Sequence, residues 1–167
     1  MQTTNIATVS LGKAITAPVL IPVTHNSTPN CINDTFMVNS TAYGVTCVSF
    51  GTPHGAVIVD DVDSFDVSSI GSALGTHVLF PKGASIVFIQ VIDKNAIKAR
   101  LWQRGEGEKE FTPEAACVAA AVAIMLQKIM SHEMMVTMGG YTVNVKWDRG
   151  INEVYLTGPV ELIRAVG

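Results

Sequence analysis

The residues of this sequence best suited to chemistry are a histidine, an arginine and three cysteines. His54 follows Pro53, where an imidazole either takes part in proton exchange near neutral pH or forms a local hydrogen bond in a turn. Arg104 lies close to Glu106 and Glu108, so it either binds a ligand carboxylate or forms a salt bridge that anchors its loop. From the residues alone, both interpretations stay open for each side chain.

The cysteines and the acidic residues do not form a metal-binding pattern. Cys31, Cys47 and Cys117 are an odd number without CxxC spacing, which favours reduced thiols over a disulfide framework or a zinc site. The acidic residues within 60–63 are not followed by a further oxygen ligand at loop spacing, which is more typical of a solvated turn than of a cation site. We therefore expect no metal and no cofactor.

The clearest local signal is the start of a helix at Thr112. Thr112 is a favourable N-cap, Pro113 suits the first helical position, and Glu114 places an acid in the first turn. We expect this helix to run to about Met130. Residues 115–126 include no polar side chain, and a helix that is apolar on every side must be surrounded by protein. This helix start is poorly suited to an anion, because Pro113 lacks an N–H and Glu114 is negative.

Most of the remaining sequence predicts β-strands, because short β-branched stretches alternate with Gly, Pro, Asn or Asp. The predicted strands are residues 6–11, 19–23, 36–40, 45–50, 56–60, 85–92, 96–103, 134–138, 141–147 and 153–157. A weaker helix over residues 67–74 follows Asp66, an N-cap residue. Tight turns are expected at residues 93–95 and at residues 139–140, where two glycines adjoin. The predicted fold class is α+β: one domain spanning residues 1–167, with a β-sheet or barrel wrapped around one central buried helix.

Composition excludes several classes of function. The chain has 167 residues, 48% hydrophobic and 15% charged, with a net charge of -3. It is long enough to bury one core, and no basic cluster suggests nucleic-acid binding. The longest apolar run is shorter than the roughly 18 residues of a spanning helix, and the first residues do not have the pattern of a secretory signal. We expect a cytoplasmic protein that binds neither nucleic acid nor membranes.

Several motifs together resemble the diaminopimelate epimerase family. Residues 48–54 read VSFGTPH, which is similar to the V-S-M-G-N-P-H motif of that family. Residues 100–108 (RLWQRGEGE), the glycines at 139–140 and residues 156–158 (LTG) follow in the family's order. The resemblance covers nearly the whole chain, residues 7–160. It implies the C-terminal of the family's two similar domains, each a β-structure wrapped on a central helix.

The resemblance also implies which residues face a ligand. In that family a cysteine from each domain acts at the α-carbon of the substrate, and the cysteine of this domain falls on Thr112, while Cys117 matches a structural cysteine. A Thr hydroxyl cannot ionise there as a thiol can, so no catalytic residue is certain. The family's substrate-contacting Asn, Asn and Glu fall on Thr52, Ser85 and Gln103. With the two retained residues, the candidate binding set is Thr52, His54, Ser85, Gln103, Arg104 and Thr112.

Two functions from different classes follow. The first is a stand-alone, catalytically inactive domain (a pseudoenzyme) that binds a partner subunit or a small amino-acid-like ligand. A face built to meet a second domain favours association, which predicts a homodimer or a complex with a separate N-terminal-type domain. The second is a cofactor-independent isomerase of the diaminopimelate epimerase type, or a lyase, active only as a dimer or with a separate N-terminal half. The loss of the cysteine favours the first.

A third possibility is that the chain is a fragment of a longer protein. Met1 precedes the first predicted strand, and residues 160–166 fall where the family's domain ends. Both observations favour a stand-alone domain as the expectation.

Overall fold

The computed structural model describes residues 5–24 and 30–163, which form ten strands and three helices. The strands are β1 Ile6–Gly12, β2 Asp34–Val38, β3 Thr41–Ser49, β4 Pro53–Ile58, β5 Ser85–Asp93, β6 Ala96–Gln103, β7 Gly107–Lys109, β8 Glu133–Met138, β9 Tyr141–Asp148 and β10 Glu153–Pro159. The helices are α1 Val67–Gly75, α2 Pro113–Met125 and α3 Val160–Ile163. The predicted α+β class is confirmed, and the end of the predicted segment 160–166 lies outside the described residues.

One sheet wraps around helix α2. The strand order is β1-β10-β9-β8-β6-β5-β4-β3-β2, with β7 added at β6. Its neighbours are antiparallel except for the parallel pairs β4–β5 and β6–β8. Ile15, just after β1, exchanges two 2.9 Å backbone hydrogen bonds with Ser49 of β3, so the sheet curls back on itself. Helix α2 contacts β3, β4, β5, β6, β8, β9 and β10, which confirms a central buried helix.

Helix α2 begins as predicted but ends earlier. The Thr112 hydroxyl caps its first turn by accepting the Ala115 N–H at 3.0 Å. The helix ends at Met125 rather than near Met130, because Gln127 takes a positive φ of 58° and turns the chain. The Ile129 N–H then donates back to the helix, and its side chain is buried in the core.

The strand predicted over residues 19–23 is wrong. Pro18–Leu20 form a 3-10 turn, with the Leu20 N–H donating to the Ala17 carbonyl at 3.0 Å. Pro18 and Pro22 have no N–H to offer a neighbouring strand. Ile21 is buried in the core without joining the sheet, whereas Leu20 is exposed. The pattern also missed β7, which is short and pairs with β6 through its backbone, with no apolar alternation to reveal it.

Helix α1 positions the end of β6. Its N-cap is Asp66, as predicted, and the helix lies against β5 and β6. Trp102 of β6 packs directly on the backbone of α1 at Gly71 and Gly75, where an added Cβ would lie 2.5 Å and 2.3 Å from Trp102 atoms. Because Trp102 directly precedes Gln103, this close packing also sets where β6 ends.

All three cysteines are unpaired by disulfide bonds and buried. Within residues 5–24 and 30–163, no cluster of His, Cys, Asp and Glu is arranged to hold a metal ion. Over the same residues, none of the helices has the length and apolar character needed to cross a bilayer.

Candidate ligand-binding site

The six predicted binding residues surround one cavity at the N-terminus of α2. The cavity has a volume of about 160 Å³. Its described lining residues are Thr52, His54, Ser85, Gln103, Arg104, Thr112 and Glu114. The first six are predicted from the sequence motifs, whereas Glu114 is expected from the sequence only as a charge at the helix start. The proximity of Glu114 to the β4 residues depends on how α2 enters the barrel, and no motif in the sequence indicates that.

The strand order explains why distant residues meet here. Strands β4 and β5 are parallel and in register, with His54 opposite Ser85. Both residues lie at the beginning of their strands, so they line the same end of the sheet. Gln103 is the last residue of β6, which is the antiparallel neighbour of β5 and therefore ends on that same side. Thr112 and Glu114 complete the wall from the start of α2.

His54 is a strand residue rather than a turn residue. The residue is only 4% exposed. Its Nδ1 lies 3.0 Å from the Thr52 carbonyl oxygen and 3.4 Å from Glu114 Oε1. Burial lowers the pKa of the His54 imidazole, the Thr52 carbonyl and the Glu114 carboxylate oppose this, and Arg104 adds to the lowering. The ring is therefore neutral near pH 7, with Nδ1–H donating to the Thr52 carbonyl and Nε2 left as an acceptor.

Glu114 is the negative pole of the cavity. It is 27% exposed, and its Oε1 accepts a 2.5 Å hydrogen bond from the Thr52 hydroxyl. The Thr112 hydroxyl is engaged by the Ala115 N–H as a cap, so it is not free to act as a base. Cys117 does not line the cavity: burial, with a smaller contribution from Glu114, raises the pKa of its thiol far above the usual range. It remains a protonated core residue.

Arg104 is the positive pole, and the salt bridge considered from sequence does not form. Its backbone N–H donates to Ser85 Oγ at 3.0 Å, and its Nη1 donates to the Lys82 carbonyl at 2.7 Å. Glu106 pairs instead with Lys109, and Glu108 pairs with Arg100. The guanidinium is thus oriented by a backbone carbonyl and keeps its charge uncompensated by these two acids, which favours the interpretation of Arg104 as a carboxylate-binding residue.

Gln103 leaves a polar atom unsatisfied beside the cavity. Its buried Oε1 has no hydrogen-bond partner within the described part of the chain. A buried acceptor without a partner costs about 1–3 kcal/mol.

The buried neutral His54 predicts a specific pH dependence of stability. The pKa of His54 is lower in the folded chain than in the unfolded chain. As the pH falls, the unfolded state therefore binds a proton at this residue before the folded state does. The contribution of His54 is constant above about pH 6.5, the ordinary pKa of a histidine, and falls as the pH drops below it, by up to about 1.4 kcal/mol per pH unit. Urea unfolding between pH 5 and 8 should show this loss.

The matched variant for that measurement is His54→Gln, which keeps a hydrogen-bonding side chain but does not titrate. The difference in unfolding free energy between wild type and variant should change with pH only below about 6.5. A difference that stays constant down to pH 5 would contradict a buried neutral imidazole.

Two curated relatives of this chain are diaminopimelate epimerases. A curated diaminopimelate epimerase from Oceanobacillus iheyensis is 31% identical over 160 residues, covering 95% of this chain and 56% of that protein. One from Acetivibrio thermocellus is 36% identical over 152 residues, covering 90% of this chain and 53% of that protein. The chain spans about half the length of the curated relatives it matches.

Solved structures share the fold. A hydroxyproline epimerase from Agrobacterium vitis with bound trans-4-hydroxy-L-proline matches with a TM-score of 0.65 at 11% identity, covering 93% of this chain and 50% of that one. A phenazine biosynthesis protein of the PhzF family from Bacillus anthracis gives a TM-score of 0.59 at 17% identity, covering 93% and 58%. The β-sheet wrapped around a central helix is the fold that this chain shares with these structures. The family model for diaminopimelate epimerase matches residues 46–163, and this chain belongs to that family.

Proposed function

We propose that this domain binds a small zwitterionic, amino-acid-like ligand in the cavity at the N-terminus of α2. The observation that supports this most is the pairing of opposite charges on one small cavity: the Glu114 carboxylate and the Arg104 guanidinium both line it. An ammonium group suits the first and a carboxylate suits the second.

The same residues argue that one chain does not carry out two-base epimerisation. A thiolate base needs a cysteine at the helix start, where the dipole lowers its pKa. Thr112 stands there as a cap, and Cys117 is buried and protonated. None of the described residues that line the cavity carries a thiol. We therefore favour ligand binding without epimerisation by the single domain.

Isothermal titration calorimetry with three matched compounds tests the proposed binding. Alanine carries both charged groups, propionate lacks the ammonium and ethylamine lacks the carboxylate. We expect alanine to bind about tenfold or more tightly than either analogue, since each missing group leaves a charged partner unpaired. Equal affinities for the three compounds, or no binding of alanine at millimolar concentration, would contradict the proposal.

A second candidate is an isomerase that uses a carboxylate as its base. Glu114 Oε1 lies 3.4 Å from the neutral His54 ring, so a base and a proton-exchanging group stand side by side in the cavity. Such a site would exchange the α-proton of a bound amino acid with solvent. Solvent deuterium incorporation at Cα of alanine and diaminopimelate, measured by NMR in D₂O, discriminates the two. We expect no exchange by the chain alone; label that enters with wild type and not with Glu114→Gln would favour the isomerase.

We also propose that a second copy of this chain covers the cavity. The curated relatives are about twice as long as the match to this chain, so a homodimer would supply a comparable amount of structure. Size-exclusion chromatography with light scattering should give about twice the 17.8 kDa of one chain. A monomer at every concentration would contradict a homodimer and would favour a separate N-terminal-type domain as the partner.

A further inference from the structure

A second cavity adjoins the candidate site. Its volume is about 440 Å³, against about 160 Å³ for the first. The two cavities share Thr112 and Glu114 as lining residues. Small-molecule sites in proteins typically measure about 300–1,000 Å³, so the first cavity alone is small for a ligand site and the second is within that range.

Half of the residues that line the second cavity are apolar and held in place. Leu11, Phe50 and Phe111 line it while packing against the main core, and Pro113 fixes the backbone where α2 begins. The Phe111 ring also meets the Tyr141 ring edge-on, with centroids 5.8 Å apart. Because packing against the core holds these side chains in place, the apolar surface that they present to the cavity is preformed.

The polar groups that line the second cavity already have partners. The Ser10 hydroxyl donates to Glu153, and Lys109 forms a 2.8 Å ion pair with Glu106. The Thr112 hydroxyl is taken by the helix cap. Since these polar groups are engaged, a ligand in the cavity would contact the four apolar residues and the Glu114 carboxylate on the shared wall.

We propose that the second cavity holds the side chain of the ligand, so that the preferred ligands are α-amino acids with a bulky apolar or aromatic side chain. This inference rests on the proposed function: the ligand ammonium lies at Glu114, its carboxylate extends toward Arg104, and its side chain enters between Phe50 and Phe111. Burial of a larger apolar group against these rings strengthens binding in proportion to the area removed from water. A second charged group on the side chain is disfavoured there.

Calorimetric titration of the wild-type chain with phenylalanine, leucine, alanine and diaminopimelate tests the inference. We expect phenylalanine and leucine to bind about tenfold or more tightly than alanine, and diaminopimelate to gain nothing over alanine. If alanine binds and phenylalanine binds no tighter, the side-chain site is overturned while the proposed function stands. If none of the four binds, both are overturned.

A variant and an NMR measurement test whether the side chain of the ligand binds in the second cavity. Phe111→Ala should reduce the ratio of phenylalanine to alanine affinity to about twofold, whereas Phe111→Leu should keep most of it. Since Phe111→Ala also loses core packing, its fold is checked by circular dichroism. Independently of any variant, nuclear Overhauser contacts should link the ring of bound phenylalanine to the rings of Phe50 and Phe111. Their absence on a ligand that binds would overturn the inference.

Discussion

Replacing Glu114 by Gln is expected to weaken the binding of alanine by about 30-fold, a loss of about 2 kcal/mol that is typical of a hydrogen bond to a charged group. The substitution removes the negative pole of the cavity and keeps the shape of the side chain. The Gln amide oxygen can still accept the hydrogen bond from the Thr52 hydroxyl, so the local structure should persist. Calorimetric titration of wild type and variant measures the ratio.

The control for this prediction is Glu133→Gln, which removes an equal charge at the exposed start of β8. It should leave alanine affinity within about twofold, because exposed charges at a distance are screened by salt. The loss of charge at the start of α2 should cost Glu114→Gln only about 0.5 kcal/mol of stability. If Glu114→Gln binds alanine as tightly as wild type, the carboxylate does not hold the ammonium.

Gly75→Ala is expected to destabilise the fold by about 3 kcal/mol, the upper end of overpacking effects. An added Cβ would lie 2.3 Å from Trp102 Cζ3 and 2.6 Å from the Ala84 carbonyl oxygen. The indole cannot move away from the added methyl group, because Trp102 belongs to a packed core cluster and is only 9% exposed. This cost outweighs the roughly 1 kcal/mol by which alanine favours a helix over glycine. Urea unfolding measures the difference.

Ser68→Ala is the matched control within the same helix. Ser68 is exposed, so its replacement should change the unfolding free energy by no more than about 0.5 kcal/mol. Gly75→Ala should also weaken alanine binding in the fraction that remains folded, since a displaced Trp102 moves Gln103 at the end of β6. A Gly75→Ala chain as stable as wild type would show that Trp102 and α1 are not in close contact.

The helices illustrate what local sequence can predict. Asp66 and Thr112 cap α1 and α2 as expected, because N-capping depends on a few adjacent residues. The central position of α2 follows from its apolar residues, since such a helix has no face for solvent. The early end at Met125 was not predictable in the same way. It depends on Ile129 reaching a core position that only the assembled barrel creates.

The strands show where local patterns become insufficient. The sequence around residues 39–40 does not predict a hairpin. In the structure, Asn39 and Ser40 take positive φ values of 49° and 68° and join β2 to β3. The residues at 19–23 have the composition of a strand but are interrupted by proline. The first outcome depends on the pairing of β2 with β3 and the second on the local 3-10 turn at Pro18–Leu20, and residue composition specifies neither.

The candidate site was predictable as a set of residues and not as an electrostatic arrangement. The fold brings the six positions predicted from the motifs to one cavity. From the sequence, the Glu114 charge is expected to keep anions away from the helix start. In the structure the Glu114 carboxylate lines the cavity, where it forms a polar wall with Thr52 and His54. The neutral state of His54 could not be predicted either, because it depends on burial within β4.

A crystal structure of the chain grown with saturating alanine tests the central claim most directly. We predict electron density for the amino acid in the cavity, with its ammonium within hydrogen-bonding distance of Glu114 and its carboxylate at Arg104. Density for the amino acid elsewhere, or a cavity filled by side chains of a second subunit under these conditions, would contradict the assignment of this cavity as the ligand site.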